Sequence, residues 1–355
     1  MINELAEKII QKLDHETAEY AVRDITFLTC SIFTETHVVS FKKFFNFKDF
    51  SIVFWYQRKD GHVVFYRSGK EYNSMAQKVG KKYLKDIEEA EKNTKRLIEM
   101  SDEINNFIKN NKNLDDLIKK WEYFYKLYRD FFVYHQVVYW PSEYLAKIKD
   151  QFEEKNKIDK IIKILDKAYK YNEIVVPNVE KYFLELGIGH LHFGEINNDI
   201  IKNIKTKPKN RSIAMVDDKV FILSSKDALI IDKVIRRDYK KFLGNKKDIV
   251  GLAVSKGVVR GVVKVVKDLN QLKNCNKGDI LVTTQTRPQF NIFIKLVKAI
   301  VTDEGGYLCH ASMLAREFNI PCIVGTKIAT QILKDGDEVE VDASRGVVKI
   351  IKKHK

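Results

Sequence analysis

The spacing of apolar positions changes character along the chain, and each change predicts a different element. Residues 2–16 alternate at helical spacing. Two β-prone apolar runs follow, Ser51-Ile52-Val53-Phe54-Trp55-Tyr56 and His62-Val63-Val64-Phe65-Tyr66. Between them lies Arg58-Lys59-Asp60-Gly61, and Asp-Gly between such runs predicts a hairpin. From about 71 to 175 the period becomes that of long helices, with apolar residues at Ile87, Ala90, Leu97 and Ile98. A second hairpin is predicted at 212–223, turning at Asp217-Asp218, and a helix at about 225–242.

The pattern shifts again at Gly244-Asn245-Lys246-Lys247-Asp248, a polar break that suits a linker. Beyond it, short β-branched runs alternate with glycines. Val258 to Val266, Ile280-Leu281-Val282 and Ala299-Ile300-Val301 predict strands. Helices are predicted at 289–297, 309–318 and 327–333, and a closing strand pair at 338–341 and 347–350. The expected architecture is an α+β multidomain chain. Residues 1–243 form a mostly helical region with small β-hairpins, 244–250 a linker, and 251–355 a compact α/β domain.

Composition narrows the class. The chain has 355 residues with 45% hydrophobic and 31% charged, which excludes a wholly disordered protein. No apolar run reaches the roughly 20 residues of a membrane helix, and the start lacks a secretory pattern. Four cysteines, Cys30, Cys275, Cys309 and Cys322, form no C-x-x-C pair, so neither a zinc cage nor a disulfide framework is indicated. No metal ligand set is assigned, and a cytoplasmic setting is expected. The net charge of +15 raises nucleic acid as a partner, but 51 lysines against 12 arginines, interleaved with acidic residues, favour solvated helix faces. A nucleic-acid partner is therefore not expected.

Candidate chemistry concentrates after the strand ending at Thr302. Asp303-Glu304-Gly305-Gly306 gives a glycine turn, and a helix beginning near Cys309 places His310 in its first turn. Unpaired amide hydrogens there favour an anion, and imidazole is a competent nucleophile at neutral pH. Local chemistry leaves open whether His310 caps the turn or attacks phosphorus. Upstream, residues 121–140 are crowded with aromatics. Trp121, Tyr125, Tyr128 and His135 are candidate substrate-binding residues, with an aromatic helical core as the alternative. His190, His192 and Glu195 form a weaker cluster, read as a metal site or as loop packing.

The run from Val301 to Thr326, with Thr302-Asp303, Gly305-Gly306, Cys309-His310-Ala311-Ser312, Ala315-Arg316-Glu317, Ile320-Pro321 and Val324-Gly325-Thr326, closely resembles the mobile phosphohistidine domain of the PEP-utilising enzymes. That family includes PEP synthase, pyruvate phosphate dikinase and the rifampin phosphotransferases. Gly251 to Gly261, Gly278 to Val282 and Asp335 to Gly346 resemble its flanks, with Lys256 where proline is usual. The resemblance implies a swivelling β/β/α domain in which His310 carries a phosphoryl group. It also implies that Thr302, Asp303, Gly305, Gly306, Cys309 and Ser312 support the loop. Arg316 would be a charge partner, with Glu317 as its local ion pair. No ATP-grasp domain or TIM barrel is found in this sequence. The implied phosphoryl donor, ATP or PEP, would thus bind a separate ATP-grasp nucleotide-binding protein, with Mg²⁺ at that donor site. The acceptor would be a small molecule. The alternative is a non-catalytic regulatory or binding protein in which phosphorylation of His310 is a signal.

Overall fold

The computed structural model describes residues 4–13, 18–23, 25–37, 51–57, 63–196, 211–244, 248–266, 269–286 and 288–354. The hairpin turn expected at 58–61 and the linker residues 245–247 lie outside these. The chain folds as two compact units, 1–239 and 240–355, in a mixed helix and sheet architecture.

The N-terminal unit contains α1 (Glu4–Lys12), β1 (Ala18–Arg23), α2 (Phe27–Glu35), β2 (Ile52–Gln57) and β3 (Val63–Ser68). Six further helices or strands of its core follow: α3 (Gly69–Lys85), α4 (Ile87–Asn110), α5 (Leu114–Lys119), α6 (Trp121–Ile148), α7 (Lys155–Asp166) and α8 (Tyr169–Glu185). The hairpin β4 (Ser212–Val216) and β5 (Lys219–Leu223) precedes α9 (Ser225–Gly244). The strands form one antiparallel sheet in the order β1-β3-β2-β4-β5. Phe54 of β2, Tyr66 of β3 and Ala214 of β4 share a buried core with Ile9 of α1, Leu13 just beyond it and Ile231 of α9.

Helix boundaries follow capping chemistry. Ser68 accepts from the Glu71 amide at 3.2 Å at the start of α3, and Asp86 accepts from the Glu88 amide at 3.0 Å at the start of α4. Helix α2 has no amphipathic period because every residue from Phe27 to Thr34 is buried. A helix apolar on all sides belongs inside a core, which is why periodicity alone does not predict it.

The C-terminal unit contains β6 (Ile249–Val250), β7 (Leu252–Ser255), β8 (Val258–Val266), β9 (Ile280–Thr283), α10 (Asn291–Ile294) and β10 (Ala299–Thr302). Then come α11 (His310–Glu317), β11 (Cys322–Val324), α12 (Ala329–Ile332), β12 (Glu338–Asp342) and β13 (Val347–Lys352). Its strand order is β6-β13-β12-β8-β9-β10-β11-β7. Strand β8 serves two partners: residues 258–262 pair antiparallel with β12, and 263–266 pair parallel with β9. Strands β8, β9, β10 and β11 run parallel. Strands β9, β10 and β11 are buried at every position, as unbroken apolar parallel strands should be. Helix α11 turns Ala311, Leu314 and Ala315 into a core with Leu281, Ile300, Cys322 and Val324.

Candidate functional site

Parallel strands deliver their carboxyl ends to one edge, where loops from neighbouring strands meet. Here the loop after β10 is stitched to the loop after β9: the Asp303 amide donates to the Thr283 carbonyl at 3.0 Å, and the Glu304 amide to the Thr284 carbonyl at 2.8 Å. These bonds set residues 284–286 beside the chain that leads into α11.

His310 is the first residue of α11, half-buried, with Cys309 as the N-cap. Its Nδ1 lies 2.8 Å from Thr286 Oγ1. Burial holds the imidazole pKa below its usual 6.5, which keeps the ring neutral at pH 7. With Nδ1 engaged, Nε2 is the nitrogen left for chemistry. If Nδ1 carries the proton and donates to Thr286, Nε2 presents its lone pair, the tautomer a nucleophile requires.

The loop that presents His310 is held from several sides. Thr302 Oγ1 donates to the Glu304 carbonyl at 2.5 Å, and the Thr302 carbonyl accepts from the Thr326 amide and hydroxyl, both at 3.0 Å. The buried Asp303 carboxylate accepts from Thr326 Oγ1 at 3.0 Å and the Thr330 amide at 3.2 Å, and it also bonds the Thr330 hydroxyl. Burial pushes the Asp303 pKa up despite these donors. Gly305 adopts φ +110°, and a Cβ there would come within 2.7 Å of Cys309 Sγ. That conformation is the reason for glycine. The Gly306 carbonyl accepts from the Ser312 hydroxyl at 2.8 Å and the Cys309 amide at 3.1 Å, and Cys309 Sγ lies 3.2 Å from Ser312 Oγ.

Arg316 departs from the expected ion pair with Glu317. Its guanidinium folds back toward the start of the helix, donating to the Tyr307 carbonyl at 2.7 Å and stacking over the Tyr307 ring at 4.7 Å. Arg316 lies in the last turn of α11 and reaches back to Tyr307 in the loop before the helix, whereas its neighbour Glu317 is exposed.

Thr302, Asp303, Gly305, Gly306, Cys309, Ser312 and Arg316 are thus gathered around one loop. Thr286 was not anticipated, although Thr283-Thr284-Gln285-Thr286 directly after a buried strand is a readable sign of a polar strand end. Thr326, which sequence places only in the resembling run, and Thr330 tether Asp303, because folding brings α12 and the turn before it to that carboxylate.

The upstream aromatics are arranged otherwise. Tyr128 is fully buried among Phe124, Phe131, Phe132 and Phe183. Tyr125 stacks on Phe193 with centroids 4.9 Å apart, and burial raises its pKa to about 12. Trp121 tilts against Tyr125 at 6.1 Å, and His135 stacks on Tyr139 at 4.6 Å. These four residues follow one side of α6 and do not converge on one point. In the loop after α8, Glu195 pairs with Arg211 at 2.6 Å, and His192 Nδ1 accepts from the Gly194 amide at 3.2 Å. Among the described residues no group of three His, Cys, Asp or Glu side chains is placed to hold a metal. No described helix is long and apolar enough to cross a membrane.

The family-model match lies in the C-terminal unit. Residues 275–346 match the family described as "PEP-utilising enzyme, mobile domain". A probable phosphoenolpyruvate synthase of Archaeoglobus fulgidus is 37% identical over 153 residues, 42% of this chain and 20% of that relative. The phosphoenolpyruvate synthase of Pyrococcus furiosus is 40% identical over 133 residues, 37% of this chain and 16% of that protein. An uncharacterized phosphotransferase, YvkC, of Bacillus subtilis is 42% identical over 103 residues, 29% of this chain and 12% of that protein. The chain therefore spans a fifth or less of the length of these relatives. Residues 275–346, which include His310 and its supporting loop, are those that match the mobile domain of the PEP-utilising enzymes.

Proposed function

We propose that this chain is a phosphoryl carrier that works with a partner, and that His310 is the atom-bearing residue. Nε2 of the neutral ring attacks the phosphorus of a bound donor. An N–P bond forms as the P–O bond to the leaving group breaks, and the Nδ1 proton stays in its bond to Thr286. In the second transfer, an acceptor oxygen attacks the same phosphorus, its proton leaves to solvent or a nearby base, and the N–P electron pair returns to the ring. The donor is ATP or PEP, bound by a separate ATP-grasp nucleotide-binding protein whose Mg²⁺ neutralises phosphate charge. The acceptor is a small molecule. One imidazole serving two separated sites must move between them.

The observation that carries this reading is the placement of the imidazole: half-buried at the first turn of α11 and held at Nδ1 by Thr286, so that Nε2 remains for attack. The names of the relatives, synthases and a phosphotransferase, agree with phosphoryl transfer.

The test is labelling. The chain is incubated with labelled PEP, and with γ- or β-labelled ATP plus a co-encoded ATP-grasp protein. Acid-labile label should appear and should be abolished by His310→Ala. Label that moves on to a small molecule supports the carrier. Label that stays on the protein supports a signalling role instead, and no label from any donor refutes the proposal.

A further inference from the structure

The C-terminal half of α4, the end of α5 and the first turns of α6 border a solvent-open concavity of about 900 Å³, wholly within the N-terminal unit. Small-molecule sites run to about 300–1,000 Å³. One wall is aromatic: Tyr123 and Phe107 lie with ring centroids 6.0 Å apart, and Tyr123 is 55% exposed. A tyrosine so exposed on a concave wall offers a flat apolar face with a polar edge.

The polar lining is unevenly satisfied. Asn106 and Asn110 stand four residues apart on α4, and so on one side of the helix. Among the described residues neither side chain bonds another protein group, so both exposed amides are open to a ligand. Both carboxylates of the lining are already compensated: Glu103 by Arg96 at 2.9 Å and Glu122 by Lys126 at 2.7 Å. Lys120 Nζ donates to the Asn111 amide oxygen at 2.7 Å, a neutral partner that leaves its charge in place. The Lys119 side chain makes no hydrogen bond or ion pair among the described residues. Two positive charges therefore stand uncompensated beside open amides and an aromatic face.

We propose that this concavity binds a small hydroxylated molecule with one flat apolar face and one anionic group, the chemistry of an aryl uronic acid glycoside. Its ring lies on Tyr123, its hydroxyls bond Asn106 and Asn110, and its anion is held by Lys119 and Lys120. The assignment concerns binding alone and is independent of the phosphotransfer reading.

The experiment is calorimetric titration of the full chain carrying His310→Ala. The probe is p-nitrophenyl β-D-glucuronide, and p-nitrophenyl β-D-glucoside is its neutral counterpart. The glucuronide is expected to bind at one site, at least tenfold more tightly than the glucoside. Tyr123→Ala should weaken it at least tenfold and Asn110→Ala about fivefold, while Lys119→Met should narrow the gap between the two probes. Tyr123, Asn110 and Lys119 are exposed, and tryptophan emission checks that each variant keeps its fold. The proposal is overturned if the glucuronide does not bind, if it binds no better than the glucoside, or if Tyr123→Ala and Lys119→Met leave its affinity unchanged.

Discussion

Glu180 offers a quantitative test of how the N-terminal core is built. It lies on α8, only 6% exposed, and Oε2 accepts from the Thr26 amide at 2.5 Å at the start of α2. Its other oxygen is buried without a partner. Burial pushes the carboxyl up from 4.5 to about 7, against the Thr29 and Thr26 donors that favour the charged form. The folded state therefore holds a proton that the unfolded chain releases above pH 4.5, so stability falls as pH rises from about 4.5 to 7. A gap of roughly 2.5 pH units corresponds to about 3 kcal/mol. Glu180→Gln mimics the protonated form and keeps an acceptor for Thr26. It should be within about 0.5 kcal/mol of the wild type at pH 4.5 and more stable by about 3 kcal/mol at pH 8. Urea unfolding followed by tryptophan emission reads this unit, because Trp55, Trp121 and Trp140 are the chain's three tryptophans and all lie within it. Buried His37 and half-buried His192 act in the opposite direction. Burial lowers their values to about 3 and about 4, so each removes stability as pH falls below about 6.5. The difference between the two proteins cancels those contributions. A difference that does not change with pH, or a variant less stable at pH 8, would refute the reasoning.

Three further outcomes concern the histidine loop. Thr286→Val removes the partner of Nδ1. Loss of one hydrogen bond worth about 1 kcal/mol should slow labelling of His310 roughly fivefold and alter its ring-nitrogen NMR shifts; unchanged shifts would show that Thr286 does not set the tautomer. Attack requires the neutral ring, whose pKa is held below 6.5 by burial, so the initial labelling rate should be flat above pH 7 and decline on acidification with a midpoint below 6.5. A midpoint above 6.5 would contradict this. Gly305→Ala forces a side chain into φ +110° and to 2.7 Å from Cys309 Sγ. A cost of about 1–3 kcal/mol is expected, seen as faster amide exchange in β10 and α11, and unchanged protection would argue against strain at that turn.

Much of the C-terminal unit was legible in sequence because its signals are local. Ile280-Leu281-Val282 and Ala299-Ile300-Val301 are unbroken apolar runs, and they become β9 and β10. The helix expected at 309–318 forms at His310–Glu317, where Cys309 and the preceding glycines end the loop. The N-terminal unit was less legible. Helix α2 carries no amphipathic period, and β1 becomes a strand only by pairing with β3 across more than forty residues. The aromatic density of α6 could have meant a pocket or a core. Tyr128 went to the core because Phe124, Phe131, Phe132 and Phe183 enclose it, and the open aromatic face belongs to Tyr123.

Sequence alone determined where the chemistry could sit: a histidine at the first turn of a helix, after a glycine turn that needs no long-range partner to be recognised. Only the tertiary structure decided which ring nitrogen is engaged. That choice depends on Thr286, twenty-four residues away, reaching His310 because two parallel strands end at the same edge. It also decided that the Glu180 and Asp303 carboxyls are both pushed upward by burial. A carboxyl's pKa depends on how much water and how many donors the surrounding fold leaves it, and no local pattern along a chain encodes that.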